Sequence, residues 1–255
     1  MPGLDAEMTL PNGERRIVLQ GPINFRDLGG YPAADGRTVR WGRVFRSDLL
    51  TDLSDEDLVV MQALGLRTVC DLRADSERAQ KPNREIPGTV AHAIGFMPRG
   101  GEELMANART LSVEQVVIRV TAIYQDFVLA RSAHFARLFE LLLRAEALPL
   151  LFHCASGRDR TGTAAMLLLS ALGVPRAVIA QDYALSDQYR RDIRFQLGDG
   201  IAPEVMAAVT RAHPAYLAAV FALIDEHWGS TDGYLREALG VSDAMREQLQ
   251  GLLLE

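Results

Sequence analysis

Leu150-Leu151-Phe152-His153 is a short apolar run that ends on Cys154 and turns through Ser156-Gly157-Arg158-Asp159-Arg160 into the apolar stretch Thr161 to Leu172. A run of that length bounded by turn residues reads as a buried strand. The stretch after it reads as a buried helix, closed by Gly173 and Pro175. A strand passing directly into such a helix belongs in an α/β fold, and no other feature of the chain restricts its architecture as much.

The remaining pattern agrees. Thr38 to Phe45 alternates like a strand after the Asp35-Gly36 turn. Ser54 caps a helix reaching about Leu64, where Gly65 stops it. Arg67 to Asp71 and Thr89 to Ile94 read as two further strands. Ser112 with Gln115 forms a capping box ahead of a helix toward Leu129, and a second helix runs from Ala133 to about Glu146. The expectation is a central, largely parallel sheet flanked by helices, with an α/β core over residues 20–190. Residues 191–255 read as a helical C-terminal elaboration, broken near Gly198-Asp199-Gly200, Pro214 and Gly229. It is expected to pack on the core or to lie over the site as a lid, within one domain spanning 1–255.

Composition narrows the function classes. A net charge of −6 argues against nucleic acid as a bulk electrostatic partner. No apolar run is long enough to span a bilayer, so no integral membrane segment is expected. Met1 to Leu10 has neither a basic start nor an apolar stretch, so the cytoplasm is the expected location, with signal-less export left open. The two cysteines, Cys70 and Cys154, form neither a CxxC pair nor a disulfide framework. His92, His134, His213 and His227 have no ligating spacing, so no metal and no cofactor are expected.

The chemistry concentrates between His153 and Gly162. A turn from a strand end into a helix N-terminus aims consecutive backbone N–H groups inward, and the helix dipole adds positive potential. That cradle suits a dianionic phosphate, and the same field favours a thiolate, which makes Cys154 the candidate nucleophile. Arg160 lies where the loop has turned back, and its planar fork can bind two phosphate oxygens. Gly157 supplies the backbone freedom of a tight loop, Gly162 lets the helix pack closely, and Thr161 can bring a hydroxyl near the sulfur. His153 reads as a hydrogen-bonding partner that orients the loop. A small buried hydrophobe accounts for Cys70 but not for Cys154, because it explains neither the glycine nor the arginines around the latter. A disulfide between Cys70 and Cys154 is a weaker alternative, since its geometry is specific.

His153-Cys154-Ala155-Ser156-Gly157-Arg158-Asp159-Arg160-Thr161-Gly162 resembles the active-site loop of the tyrosine and dual-specificity phosphatases. It is most similar to the bacterial atypical protein-tyrosine and phosphoinositide phosphatases, whose loop reads HCxxGKDRTG. Asn24-Phe25-Arg26-Asp27-Leu28-Gly29-Gly30-Tyr31, Phe45-Arg46-Ser47-Asp48 and Asp71-Leu72-Arg73 resemble other motifs of that group. The resemblance implies a cysteine-phosphatase fold and hydrolysis of phosphomonoesters through a phosphocysteine. It implies Cys154 as nucleophile, Arg160 as phosphate ligand, and the backbone N–H groups of Ala155, Ser156, Gly157, Arg158, Asp159 and Arg160 around the oxygens. It places the general acid at Asp159, with Asp71 as the alternative, and gives Arg26 and Asp27 either a supporting or a turn-forming role. The expected partner is a phosphorylated protein or a phosphoinositide.

The departure is Arg158, where the group usually has lysine. A single lysine, Lys81, stands among 27 basic residues, so arginine bias alone can explain the exchange. If its side chain reaches the pocket rim, Arg158 adds a second cation that favours substrates with more than one phosphate. A dedicated inositol-phosphate or lipid phosphatase is the alternative within the hydrolases. A rhodanese-like sulfurtransferase also uses a cysteine in an anion-cradling loop, but is not expected to carry Asp159-Arg160-Thr161-Gly162. A phosphate-recognition module without activity would lack the nucleophile or the arginine, and both are present.

Overall fold

The strand that ends on Cys154 lies at the centre of the sheet, as its apolar character requires. A computed structural model describes residues 14–190 and 200–255. One sheet has the order β1 (Arg26–Asp27), β2 (Val44–Ser47), β5 (Leu150–His153), β3 (Thr68–Asp71), β4 (Val90–Ala93). β1 is antiparallel to β2, and the other neighbours run parallel. Both faces of β5 are covered. Leu150 and Phe152 join a large core cluster, while Leu151 joins a smaller one with Phe45 and Val69.

Helices α1 (Asp55–Ala63), α2 (Asp75–Gln80), α3 (Gly101–Asn107), α4 (Val113–Ala130), α5 (Ser132–Leu142), α6 (Asp159–Ala171) and α7 (Arg176–Ala184) connect and flank the strands. The capping box expected at Ser112 with Gln115 forms, and the expected Ser54 cap is completed into a second box by Asp57. The large cluster lies under α4, α5 and α6, and the smaller one holds Met61 of α1, with Phe25 stacked on Phe45. Among the described residues four helices follow: α8 (Pro203–Thr210), α9 (Pro214–Trp228), α10 (Thr231–Glu237) and α11 (Asp243–Leu253). Val205, Tyr216, Leu235 and Leu249 carry them into the large cluster. Pro214 stands at the first position of α9 and Gly229 closes it in the left-handed region, so both breaks are helix boundaries. Gly198-Asp199 lies outside the described residues.

Some boundaries differ. The strand expected over Thr38 to Phe45 begins only at Val44. Gly42, at φ +70°, turns the chain first and donates its N–H to the Asp27 carboxylate. The helix expected to reach Glu146 ends at Leu142 and tightens into a 3-10 turn over Ala145–Ala147. α6 starts at Asp159, which puts Asp159 and Arg160 in its first turn. Among the described residues no single helix is long and apolar enough to cross a membrane.

Candidate active site

The three inner parallel strands end side by side, and their carboxyl ends form the crevice where α/β sheets bind ligands. β5 delivers Cys154 there, with only 1% of its surface exposed. From Ala155 to Arg160 no backbone N–H donates to an acceptor among the described residues; the ladder of α6 begins with Gly162 N–H on the Arg158 carbonyl, 2.7 Å. Unpaired amides at a helix start are what a phosphate cradle requires. Gly157 is at φ +65°, and a Cβ there would lie 2.7 Å from the Ser47 carbonyl oxygen and 2.8 Å from Asn24 Nδ2. The loop therefore tolerates only glycine at that point. A Cβ on Gly162 would press the Tyr183 ring at 3.0 Å, which accounts for the second glycine. Thr161 Oγ1 is buried without a hydrogen-bond partner among the described residues.

Arg160 is held from behind. Its Nη1 and Nη2 donate to the two carboxylate oxygens of Glu77, at 2.5 and 2.8 Å. Nη1 also donates to the carbonyls of Phe96, 3.0 Å, and Leu72, 3.3 Å. Burial raises the pKa of Glu77, but the hydrogen bonds and charge of Arg160 outweigh it, and the net shift is downward. With its tip anchored, Arg160 keeps Nε–H and one Nη2–H, which project to the same side and suit two phosphate oxygens.

Asp159 is the hub of a second cluster. Tyr124 donates its hydroxyl to Oδ1 at 2.6 Å, Arg158 donates Nε to Oδ1 at 2.8 Å and Nη2 to Oδ2 at 3.1 Å, and Ser156 reaches Oδ2 at 3.3 Å. Burial raises the pKa of this carboxyl, but the Arg158 charge and the hydrogen bonds from Arg158 and Tyr124 bring the net shift downward. Arg158 Nη2 also donates to the Val209 carbonyl of α8, 2.9 Å. The Arg158 guanidinium is thus turned to two acceptors inside the protein, Asp159 and the Val209 carbonyl, and does not stand free at the pocket rim.

Asp71 is committed elsewhere. Its carboxylate receives Arg73 Nη2 at 2.6 Å and Asn83 Nδ2 at 2.9 Å, and lies 3.4 Å from His153 Nε2. Burial raises its pKa, yet the hydrogen bond and charge of His153 and the hydrogen bonds from Arg73 together drive it far below the usual carboxylate range. His153 is fully buried, with Nδ1 3.2 Å from the Cys154 carbonyl and Nε2 2.9 Å from Asn83 Nδ2. Its ring is thus fixed between the backbone at Cys154 and Asn83.

Arg26 and Asp27 divide. Arg26 is fully buried; it donates Nε to Asp182 Oδ1 at 3.0 Å and Nη1 to the Asn24 side chain. Asn24 Nδ2 in turn donates to the Ser156 and Gly157 carbonyls, so Arg26 supports the loop. Asp27 does not. Its carboxylate accepts from Gly29 and Gly42 N–H, both at 2.7 Å, which ties two turns together, and burial pushes its pKa up to about 6. Cys70 pairs with Phe152 across β3 and β5, and both cysteines are free thiols. Burial, then the Asp71 charge, pushes the Cys70 thiol up, away from reactivity.

Five contributors have no assigned role in the sequence reading: Glu77, Tyr124, Asp182, and Asn24 and Arg46 within the quoted motif fragments. A signal existed for one class of them. Arginines in apolar surroundings, such as Arg26 and Arg46, demand a buried carboxylate somewhere in the chain. Among the described residues no group of three or more His, Cys, Asp or Glu is arranged to hold a metal ion.

The chain is similar to known proteins over most of its length. A protein of Cupriavidus necator assigned as a tyrosine-protein phosphatase is 37% identical over 250 residues, 94% of this chain and 88% of that protein. Triple specificity protein phosphatase PtpB of Mycobacterium tuberculosis is 31% identical over 275 residues, 92% of this chain and 98% of that protein. A tyrosine-protein phosphatase of Nostoc commune is 28% identical over 256 residues, 96% of this chain and 82% of that protein. Residues 17–255 match the profile of the tyrosine phosphatase family, and with the loop at Cys154 built as described, the chain belongs to that family of cysteine-based phosphatases.

Proposed function

We propose that Cys154 Sγ attacks the phosphorus of a bound phosphomonoester while the amides of Ala155 to Arg160 and the Arg160 fork hold the three non-bridging oxygens. The P–O bond to the leaving group breaks, and protonated Asp159 gives its proton to the departing oxygen. Water then attacks the phosphocysteine with Asp159 as base, which releases inorganic phosphate and returns the thiolate. The observation that carries this reading is the set of unpaired amides facing an arginine whose tip is already anchored by Glu77.

Asp159 is ionised in the resting arrangement, so it must gain a proton on binding substrate. A phosphate dianion in the loop supplies the cause: its charge opposes the carboxylate and competes for Arg158. A donor matters most when the leaving group is poor. Asp159→Asn is expected to lower kcat on phenyl phosphate about 10²-fold or more, and much less on p-nitrophenyl phosphate. Asp71→Asn is expected to leave that ratio near wild type while destabilising the fold by about 3 kcal/mol, because it strips the buried Arg73 of its counter-ion. The opposite pattern of leaving-group dependence would transfer the acid to Asp71.

The proposed substrate range is phosphotyrosine together with phosphoinositides. The name of the Mycobacterium tuberculosis relative, a triple specificity phosphatase, supports breadth, and an anion able to draw Arg158 from Asp159 would favour multiply charged substrates. A panel of phosphotyrosine peptide, inositol phosphates and phosphoinositide vesicles is expected to show turnover of the first and the last. Silence on every inositol substrate would restrict the enzyme to proteins. A cytoplasmic site of action belongs to the same proposal, supported by two free thiols that suit a reducing compartment.

A further inference from the structure

A loop that turns its amides toward a ligand must turn its carbonyls the other way, into the protein, where each needs a donor. Behind this loop the donors come from two side chains. Asn24 Nδ2 lies 3.2 Å from the Ser156 carbonyl and 3.1 Å from that of Gly157, and Arg46 Nη2 lies 2.8 Å from the Gly157 carbonyl. Arg46 is fully buried, as is Arg26, whose Nη1 fixes the Asn24 side chain. Both arginines converge on one carboxylate from α7. Asp182 Oδ2 receives Arg46 Nη1 at 2.5 Å, and Oδ1 receives Arg26 Nε and the Tyr31 hydroxyl, each at 3.0 Å. Arg26 Nη2 closes the arrangement on the Asp182 carbonyl, 3.0 Å, and on Ser186 Oγ, 3.2 Å.

We propose that Asp182 is a positioning residue for the phosphate loop, holding Arg46 and, through Arg26, Asn24, so that the carbonyls of Ser156 and Gly157 stay turned into the protein and the amides after them stay aimed at phosphate. The inference rests on the reading of residues 154–160 as the phosphate cradle. Two consequences follow from the geometry. Asp182 fixes the direction of the Arg46 fork, since one Nη binds the carboxylate while the other binds the loop. It also leaves the cluster with one surplus positive charge, two guanidinium groups against one carboxylate, beneath a site that receives a dianion. Its carboxyl is pushed up by burial, but the Arg26 and Arg46 charges bring it down further, in keeping with a fixed anion.

The test uses Asp182→Asn and Arg46→Lys in the full chain. The lysine variant keeps a buried cation beside Asp182 but loses the rigid fork that spans carboxylate and carbonyl. Each is assayed for kcat and KM on p-nitrophenyl phosphate and for inhibition by inorganic phosphate, well below its own unfolding midpoint. A loop out of register should lower kcat about 10²-fold. It should also weaken phosphate inhibition several-fold, with the folded state retained at the assay temperature. Should Asp182→Asn not fold, Arg46→Lys decides by the same two numbers. Variants that are merely less stable, with kcat and phosphate inhibition within twofold of wild type, overturn the proposal. Cys154→Ser runs beside them: if it still turns over substrate, the cradle reading itself fails, a result distinct from failure of the role given to Asp182.

Discussion

Cys154→Ser is expected to keep the fold and to lose turnover of aryl phosphates by about 10⁴-fold or more. The substitution exchanges sulfur for oxygen in a side chain that is 1% exposed, so packing is barely altered. What changes is the acidity of the attacking group: a serine hydroxyl stays protonated at neutral pH. His153, the nearest candidate base by sequence, has its ring nitrogens on the Cys154 carbonyl and Asn83. The measurement is steady-state hydrolysis of p-nitrophenyl phosphate beside a denaturation curve. Residual activity above about 1% of wild type with an unchanged denaturation midpoint would require another nucleophile.

Arg160→Lys is expected to produce the second large effect, a fall in kcat of about 10²- to 10³-fold that exceeds any rise in KM. Arg160 serves two sides at once. Glu77 and the carbonyls of Leu72 and Phe96 take the donors at its tip, and the remaining edge is the one proposed to meet the phosphate. A lysine ammonium keeps the charge but presents three donors from one point, so it cannot hold Glu77 and two phosphate oxygens together. The loss is largest where the geometry is most exacting, as the phosphoryl group flattens between sulfur and leaving oxygen. An unchanged kcat would remove Arg160 from the role of phosphate clamp.

The legible parts of this molecule are those whose causes are local. Leu150 to Leu172 carries its own strand, loop and helix, and the amides, Cys154 and Arg160 come with it. Boundaries were less legible where one residue redirects a good pattern, as Gly42 does after the alternation from Thr38. The support of the loop was legible only in part, because its partners lie far apart in the chain. Asn24 is 133 residues from Gly157, and Arg26 is 156 from Asp182. Neither Asp182 nor Glu77 differs in local context from an ordinary helix carboxylate, and only the fold brings each to an arginine. Arg158 shows the converse: its charge was plain in the sequence, but its direction depended on Asp159 and on α8.

That last contact has a genetic consequence. Arg158 meets α8 through the main-chain oxygen of Val209, an atom that every amino acid possesses. Exchange of the Val209 side chain for another of similar size leaves the acceptor where it is, so point substitutions sampled at this codon report on packing alone. The surroundings of Asp159 are therefore tied to the C-terminal helices by backbone position. They will respond to insertions, deletions or bound molecules that shift α8 as a body, and a library of single-residue replacements at position 209 would pass over the connection in silence.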